Sequence, residues 1–100
     1  MWHDQQFFVI QKLLKDQEGE LLDFGARDQI LKKFLPKQIK YTGVDITQNK
    51  DQTNIIMDLN QKIKFDNNSF DLITALDVVE HLDDPCNFID ECLRISKNQV

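Results

Sequence analysis

The chain has 100 residues, of which 41% are hydrophobic and 29% charged, with three glycines and two prolines. That is the composition of one globular domain, and it excludes disordered, collagen-like and low-complexity classes. A net charge of −5 excludes attraction of nucleic acid or anionic membrane by bulk field, so neither is an expected partner.

From Asp4 to about Gln17, the apolar residues Phe7, Phe8, Ile10, Leu13 and Leu14 recur at helical spacing, with Gln6, Lys12, Lys15 and Asp16 opposite them. Gly19 is the expected stop. Leu21–Phe24 reads as a short strand. Asp28–Leu35 reads as a helix, with Lys32 and Lys33 near its end and Pro36 beyond it. Lys40–Ile46 is a strand, and Asn54–Asp58 is a shorter one around Ile55-Ile56-Met57. Asp66-Asn67-Asn68-Ser69 signals a turn. Phe70–Asp77 follows as the most apolar strand, suited to burial on both faces.

The last helix has the best-marked start. Asp84 can cap it, and Pro85 fits the first helical position, where no N–H is required. Phe88, Ile89, Cys92, Leu93 and Ile95 form its expected buried stripe, and Asp90 can pair with Arg94 on its surface. Cys86 and Cys92 lie six apart, on different sides of that helix, and read as reduced thiols of a cytoplasmic protein. The apolar run Phe7–Ile10 is too short for a signal-peptide core, and nothing approaches a membrane span. Residues 1–19 read as an amphipathic helix and 20–100 as the domain proper.

Strands alternating with helices indicate an α/β fold with a Rossmann-like parallel sheet and flanking helices. Such sheets bind ligands outside the carboxyl ends of their strands, where the strand order reverses. Every candidate strand here ends in acidic residues: Asp23 with Gly25 just after it, Asp45, Asp58 and Asp77. The Gly25 turn would let a ligand approach backbone N–H groups, or is simply a tight connection. Asp45 lies twenty residues after Gly25, where a carboxylate can accept from two ribose hydroxyls; the alternative is an exposed loop carboxylate. Asp58 can accept from an exocyclic amine while Leu59 packs on the ring, or it can start a turn. Asp77, Glu80 and His81 would share one face of a helical turn, which suits a carboxylate–imidazole pair and, as a secondary idea, a divalent metal. The bland alternative has Asp77 capping a turn and His81 packed.

Together these residues resemble the class I S-adenosylmethionine-dependent methyltransferases, of the type 11-like domain. The likeness spans about residues 20–97. It rests on Leu21–Gln29, on Tyr41-Thr-Gly-Val-Asp45-Ile, on Asp58-Leu-Asn and on the stretch from Phe65 to Leu82. The resemblance implies the N-terminal part of a seven-stranded fold, S-adenosylmethionine as cofactor, and methyl transfer to a small-molecule or other acceptor. It implies that Asp23, Gly25, Ala26 and Arg27 surround the methionine end, that Asp45 holds the ribose and that Asp58 and Leu59 hold the adenine. Asp77 would also belong to the cofactor-binding set; Asp77 and the residues after it would border the substrate, with Asp77, Glu80 and His81 acting as catalytic residues. Asp77-x-x-Glu80-His81 is also similar to the metal-binding Glu-x-x-Glu-His of some O-methyltransferases, with Asp in place of the first Glu.

Two departures stand out. Arg27 and Gln29 occupy positions where the family's first motif carries glycine, so side chains either crowd the cofactor or redirect the turn. Arg27 can instead pair with the cofactor carboxylate or with Asp23. The chain also stops near the expected fifth strand, which would leave Phe70–Asp77 as an apolar edge open to self-association. The alternative function is therefore a truncated, non-catalytic remnant acting as a binding or interaction module. A nicotinamide-dinucleotide enzyme is disfavoured, because Gly25-Ala26-Arg27-Asp28-Gln29-Ile30 lacks the Gly-x-Gly-x-x-Gly turn that seats a pyrophosphate.

Overall fold

The computed structural model describes residues 9–76 and 78–97. Its centre is a four-stranded, all-parallel sheet of β1 (Gly19–Phe24), β2 (Ile39–Asp45), β3 (Ile55–Ile56) and β4 (Leu72–Thr74), in the order β3-β2-β1-β4. The chain runs outward from β1 through β2 to β3, then crosses back to place β4 on the other side of β1. The strand order therefore reverses between β1 and β4, which is where an open α/β sheet forms a crevice. The architecture is the α/β, Rossmann-like parallel sheet that the alternating elements imply.

β1 is covered on both faces, so apolar side chains at adjacent positions, Leu21 and Leu22, are both buried. Leu21, Leu22 and Phe24 are fully buried. Leu22 and Phe24 join Val44, Ile63, Phe70, Phe88 and Ile95 on one side. Leu21 joins Leu31 and Ile39 on the other, with Ile10, Leu14, Leu35, Tyr41 and Leu72 packed around them. Each such side chain contributes about 1.5–3 kcal/mol on burial. Phe24 meets Phe88 edge-on, with ring centroids 5.1 Å apart, an arrangement that the ring quadrupoles favour.

Several elements are shorter than their patterns suggest. The expected Asp28–Leu35 helix is a five-residue 3₁₀ segment, Ile30–Phe34. Arg27 and Gln29 both adopt positive φ, 51° and 58°, so no right-handed helix can begin before Ile30. Leu35 is extended ahead of Pro36, as the proline ring requires of its predecessor. Too few residues remain for i→i+4 bonding. β3 is reduced to two residues because the Asn54 N–H turns to the side chains of Gln48 and Asn49 instead of the ladder. β4 is limited to Leu72–Thr74 and is half-buried, not covered on both faces. Its flank continues as a single bridge from Phe70 to Ser96.

At the start of the described chain, residues 9–14 are helical. Ile10 and Leu14 face the sheet, whereas Leu13 is 70% exposed. The helix ends ahead of Gly19, which is the first residue of β1 and not a helix stop. Asp4, Phe7 and Phe8 lie outside the described residues.

The last helix, Pro85–Ile95, starts as expected. Asp84 accepts a hydrogen bond from the Asn87 N–H, with Pro85 in the first turn. Its buried stripe is narrower than the pattern implies: Phe88 and Ile95 are buried, Cys92 is half-buried, and Ile89 and Leu93 are each 49% exposed. Arg94 pairs with Glu91 at 2.6 Å and not with Asp90. Its guanidinium also donates to the Ile63 and Phe65 carbonyls, tying the helix to the loop before β4. Cys86 and Cys92 are free thiols, and burial, aided by the Glu91 charge, raises the Cys92 thiol to about 11. Among the described residues no helix is long and apolar enough to cross a membrane.

Candidate functional site

Because all four strands run the same way, the segments that leave their carboxyl ends meet on one edge of the sheet. There they enclose a cleft of about 320 Å³, at the lower end of the range for small-molecule sites. Gly25 and Arg27 come from the turn after β1, Asp45 and Ile46 from the end of β2, and Met57, Asp58, Leu59 and Asn60 from the segment after β3. Leu76 and Val78 follow β4, and His81 and Leu82 close the rim. The walls are largely aliphatic, with two carboxylates and one imidazole among them.

The turn after β1 is the most constrained part. Gly25 has φ 75°, and a Cβ there would lie 2.3 Å from a Val78 methyl, so only glycine fits. The N–H groups of Gly25 and Ala26 both donate to the Val44 carbonyl, at 2.8 and 3.0 Å. The Arg27 N–H donates to Asp45 Oδ2 at 2.6 Å. All three amides of the turn are therefore used within the chain, not offered to a ligand. Arg27 and Gln29 keep the left-handed backbone that glycine adopts freely, at about 1–2 kcal/mol per residue for a chain with Cβ atoms. Both side chains stand at left-handed backbone positions and load the turn with strain.

Asp45 is held from three directions. Oδ1 accepts from the N–H groups of Ile46 at 2.7 Å and Thr47 at 3.2 Å, and Oδ2 accepts from Arg27. These bonds fix the carboxylate at the cleft edge and leave it lone pairs for further donors. Asp58 does the work of a turn residue as well, since its Oδ1 accepts from the Asn60 N–H at 2.9 Å. Asn60 in turn accepts from the Asp83 N–H at 2.9 Å, joining this segment to the loop before the last helix.

Asp23 and Ala26 are not in the cleft wall. Both are buried, at 4% and 7% exposure. Asp23 accepts from the Tyr41 hydroxyl at 2.6 Å and from the Thr74 hydroxyl at 2.9 Å, binding β1 to both of its neighbours. These two hydroxyls, and not Arg27, are its partners. Burial pushes its carboxyl up to about 6, against the lowering effect of the two bonds, and the Asp45 charge adds to the rise. Burial and the adjacent Asp23 charge keep the Tyr41 hydroxyl protonated.

Glu80 and His81 sit on a three-residue 3₁₀ turn, Val79–His81, with His81 Nε2 3.6 Å from Glu80 Oε1 and both side chains exposed. Asp77 lies outside the described residues, so its expected place beside them does too. Among the described residues no group of three His, Cys, Asp or Glu side chains could hold a metal ion.

Sequence reasoning missed Ile46, Met57, Asn60 and Leu76 as wall residues, and took in Val78 and Leu82 only within the stretch after Asp77. Each adjoins or nearly adjoins a residue at a strand end, and the rule that puts Asp45 at the crevice would have found several of them. It also took Gln29 only as a lost glycine and did not single out Asn54. Nothing in the local pattern signals that these two meet, as they are 25 residues apart.

Comparison with known proteins gives this geometry a context. Residues 2–100 match the model of a family described as a methyltransferase domain. The chain belongs to that family. Its fold is similar to that of the YcgJ protein from Bacillus subtilis, with a TM-score of 0.79 at 20% identity, covering 96% of this chain and 47% of that one. It is also similar to a proposed methyltransferase from Bacillus halodurans C-125, with a TM-score of 0.75 at 15% identity, covering 94% and 47%. The chain thus spans about half the length of these structural neighbours. No curated protein matches the sequence.

The cleft suits an adenine nucleoside on physical grounds. A planar base requires an apolar slot, which Ile46, Met57, Leu59 and Leu82 can provide, and a ribose diol requires a fixed acceptor, which Asp45 is. Gly25 borders the cleft at a place where a Cβ would collide with the Val78 side chain.

Proposed function

We propose that the chain binds S-adenosylmethionine in this cleft and forms the cofactor-binding part of a methyltransferase. The observation that carries the reading is Asp45: a carboxylate oriented by three backbone N–H groups at the end of β2, beside an apolar slot in the cleft at the carboxyl ends of the strands.

In this reading Asp45 accepts from the ribose hydroxyls, and Ile46, Met57 and Leu59 sandwich the adenine. Asp58, whose second oxygen is left to a ligand, accepts from the exocyclic amine. Gly25 and Arg27 border the methionyl end. When bound, the cofactor supplies an electrophilic methyl on a sulfonium. The chain's own task is to exclude water and hold an acceptor in line. His81, on the rim beside Glu80, is positioned to take a proton from the acceptor.

A second reading, a binding or interaction module without turnover, is favoured by the turn after β1, whose Gly25, Ala26 and Arg27 amides are all bonded within the chain. Calorimetric titration with S-adenosylmethionine, S-adenosylhomocysteine and NAD tests the first claim. Saturable binding of the first two only, weakened tenfold or more by Asp45→Ala, is the expected result. A folded chain that binds none of them refutes the site. Binding without methyl transfer to any acceptor in a panel selects the second reading.

A further inference from the structure

We propose that Gln29 and Asn54 form a buried amide clamp that holds the Arg27 turn from behind and so sets the ribose-reading orientation of Asp45. The inference rests on the nucleoside site proposed above and assigns it two positioning residues that never touch the cleft.

The Arg27 residue is gripped on both sides. Its N–H donates to Asp45 Oδ2 at 2.6 Å, and its carbonyl accepts from Asn54 Nδ2 at 2.7 Å. The second Asn54 amide hydrogen goes to the Thr47 carbonyl, at 3.3 Å, in the loop whose first N–H groups hold Asp45 Oδ1. Asn54 Oδ1 accepts from Gln29 Nε2 at 2.7 Å. One carboxamide therefore joins the turn after β1, the loop after β2 and the residue standing at the last glycine position of the motif. Its orientation is determined, because two of its partners are carbonyls and only the amide nitrogen can meet them.

The clamp is dry and built for its place. Asn54 and Gln29 are 5% and 7% exposed, and neither lines the cleft. Asn54 is anchored by its own N–H, which donates to both Gln48 Oε1 and Asn49 Oδ1 at 2.9 Å. Its carbonyl accepts from Gln48 Nε2. Gly43 keeps the space open, since a Cβ there would lie 2.7 Å from Asn54 Oδ1 and 2.9 Å from Gln29 Nε2.

The physical reason for such a device is the loss of glycine. Arg27 and Gln29 sit at φ 51° and 58°, a region that residues with a Cβ leave unless their surroundings hold them. A glycine turn keeps that path unaided. Here the path is kept by fixing the Arg27 carbonyl and placing the Gln29 side chain in the same buried bond. Release of the carbonyl lets Arg27 relax and withdraws its N–H from Asp45 Oδ2, so that the carboxylate is held at Oδ1 alone and its second oxygen loses its fixed direction.

The test is the affinity ratio of adenosine to 2′-deoxyadenosine, measured by titration calorimetry for the full chain and its variants. The ratio reports Asp45 geometry, and a general loss of stability does not move it while the protein stays folded. The wild type is expected to favour the ribose about tenfold. Asn54→Ala should bring the ratio to twofold or less, and adding Arg27→Gly to Asn54→Ala should restore it, because glycine holds the turn without a clamp. Gln29→Met keeps the side-chain length and the left-handed strain but removes the bond to Asn54 Oδ1, and it should lower the ratio in the same direction. An unchanged ratio in folded Asn54→Ala overturns the clamp. If that variant does not fold, an unchanged ratio in Gln29→Met overturns it. Failure of the wild type to bind either nucleoside overturns the nucleoside site itself and the clamp with it, whereas binding with an unmoved ratio removes the clamp alone.

Discussion

Replacing Asp23 with asparagine should remove a pH dependence from the stability of the fold. Asp23 is the penultimate residue of β1, 4% exposed, and links β1 to both neighbouring strands through Tyr41 and Thr74. Burial raises its carboxyl from 3.8 to about 6, the two hydroxyl bonds opposing the rise in part. The folded-state value is thus above the unfolded one. Between pH 4 and 6 the native chain holds a proton that the unfolded chain has released, so stability falls as pH rises across that window and levels off above it. The full rise corresponds to about 3 kcal/mol, a substantial fraction of the 5–15 kcal/mol typical of a small domain. Asparagine is neutral throughout and can still bond both hydroxyls. Urea unfolding of the wild type and Asp23→Asn at pH 4, 5, 6 and 7 provides the measurement, and other carboxylates cancel in the difference between the two proteins. The stability of the variant relative to the wild type should rise by about 2–3 kcal/mol from pH 4 to pH 7. A difference that stays flat across this range refutes the claim that Asp23 is ionised at a desolvation cost.

Phe88→Ala should cost about 3–5 kcal/mol, because the ring is 2% exposed and lies edge-on to Phe24 at the junction of the last helix and β1; a melting temperature within a few degrees of the wild type would contradict that packing. Asp84→Ala should cost about 1 kcal/mol through loss of the bond to the Asn87 N–H. In a domain of this size that lowers the melting temperature by about 4–8 °C, and circular dichroism on heating would read it.

The amino-acid sequence by itself determines the order and type of most elements and the edge where a ligand site belongs. Leu21, Leu22 and Phe24 are apolar because both faces of β1 are covered, and that signal is local. Asp84 and Pro85 announce the last helix because capping involves only neighbouring residues. Asp45 at the end of β2 was legible for the same reason. The tertiary structure decided what depends on residues far apart in the chain. It turned Asp28–Leu35 into a short 3₁₀ segment, since the left-handed Arg27 and Gln29 are held by Asn54, 25 or more positions away. It took Asp23 out of the cleft and gave it to Tyr41 and Thr74, because strand pairing brings those hydroxyls beside it. It moved Arg94 from the surface partner Asp90 to Glu91 and the loop carbonyls. Periodicity and capping act within a few residues and are written in the local sequence, whereas a buried polar group finds its partner only after the strands have paired.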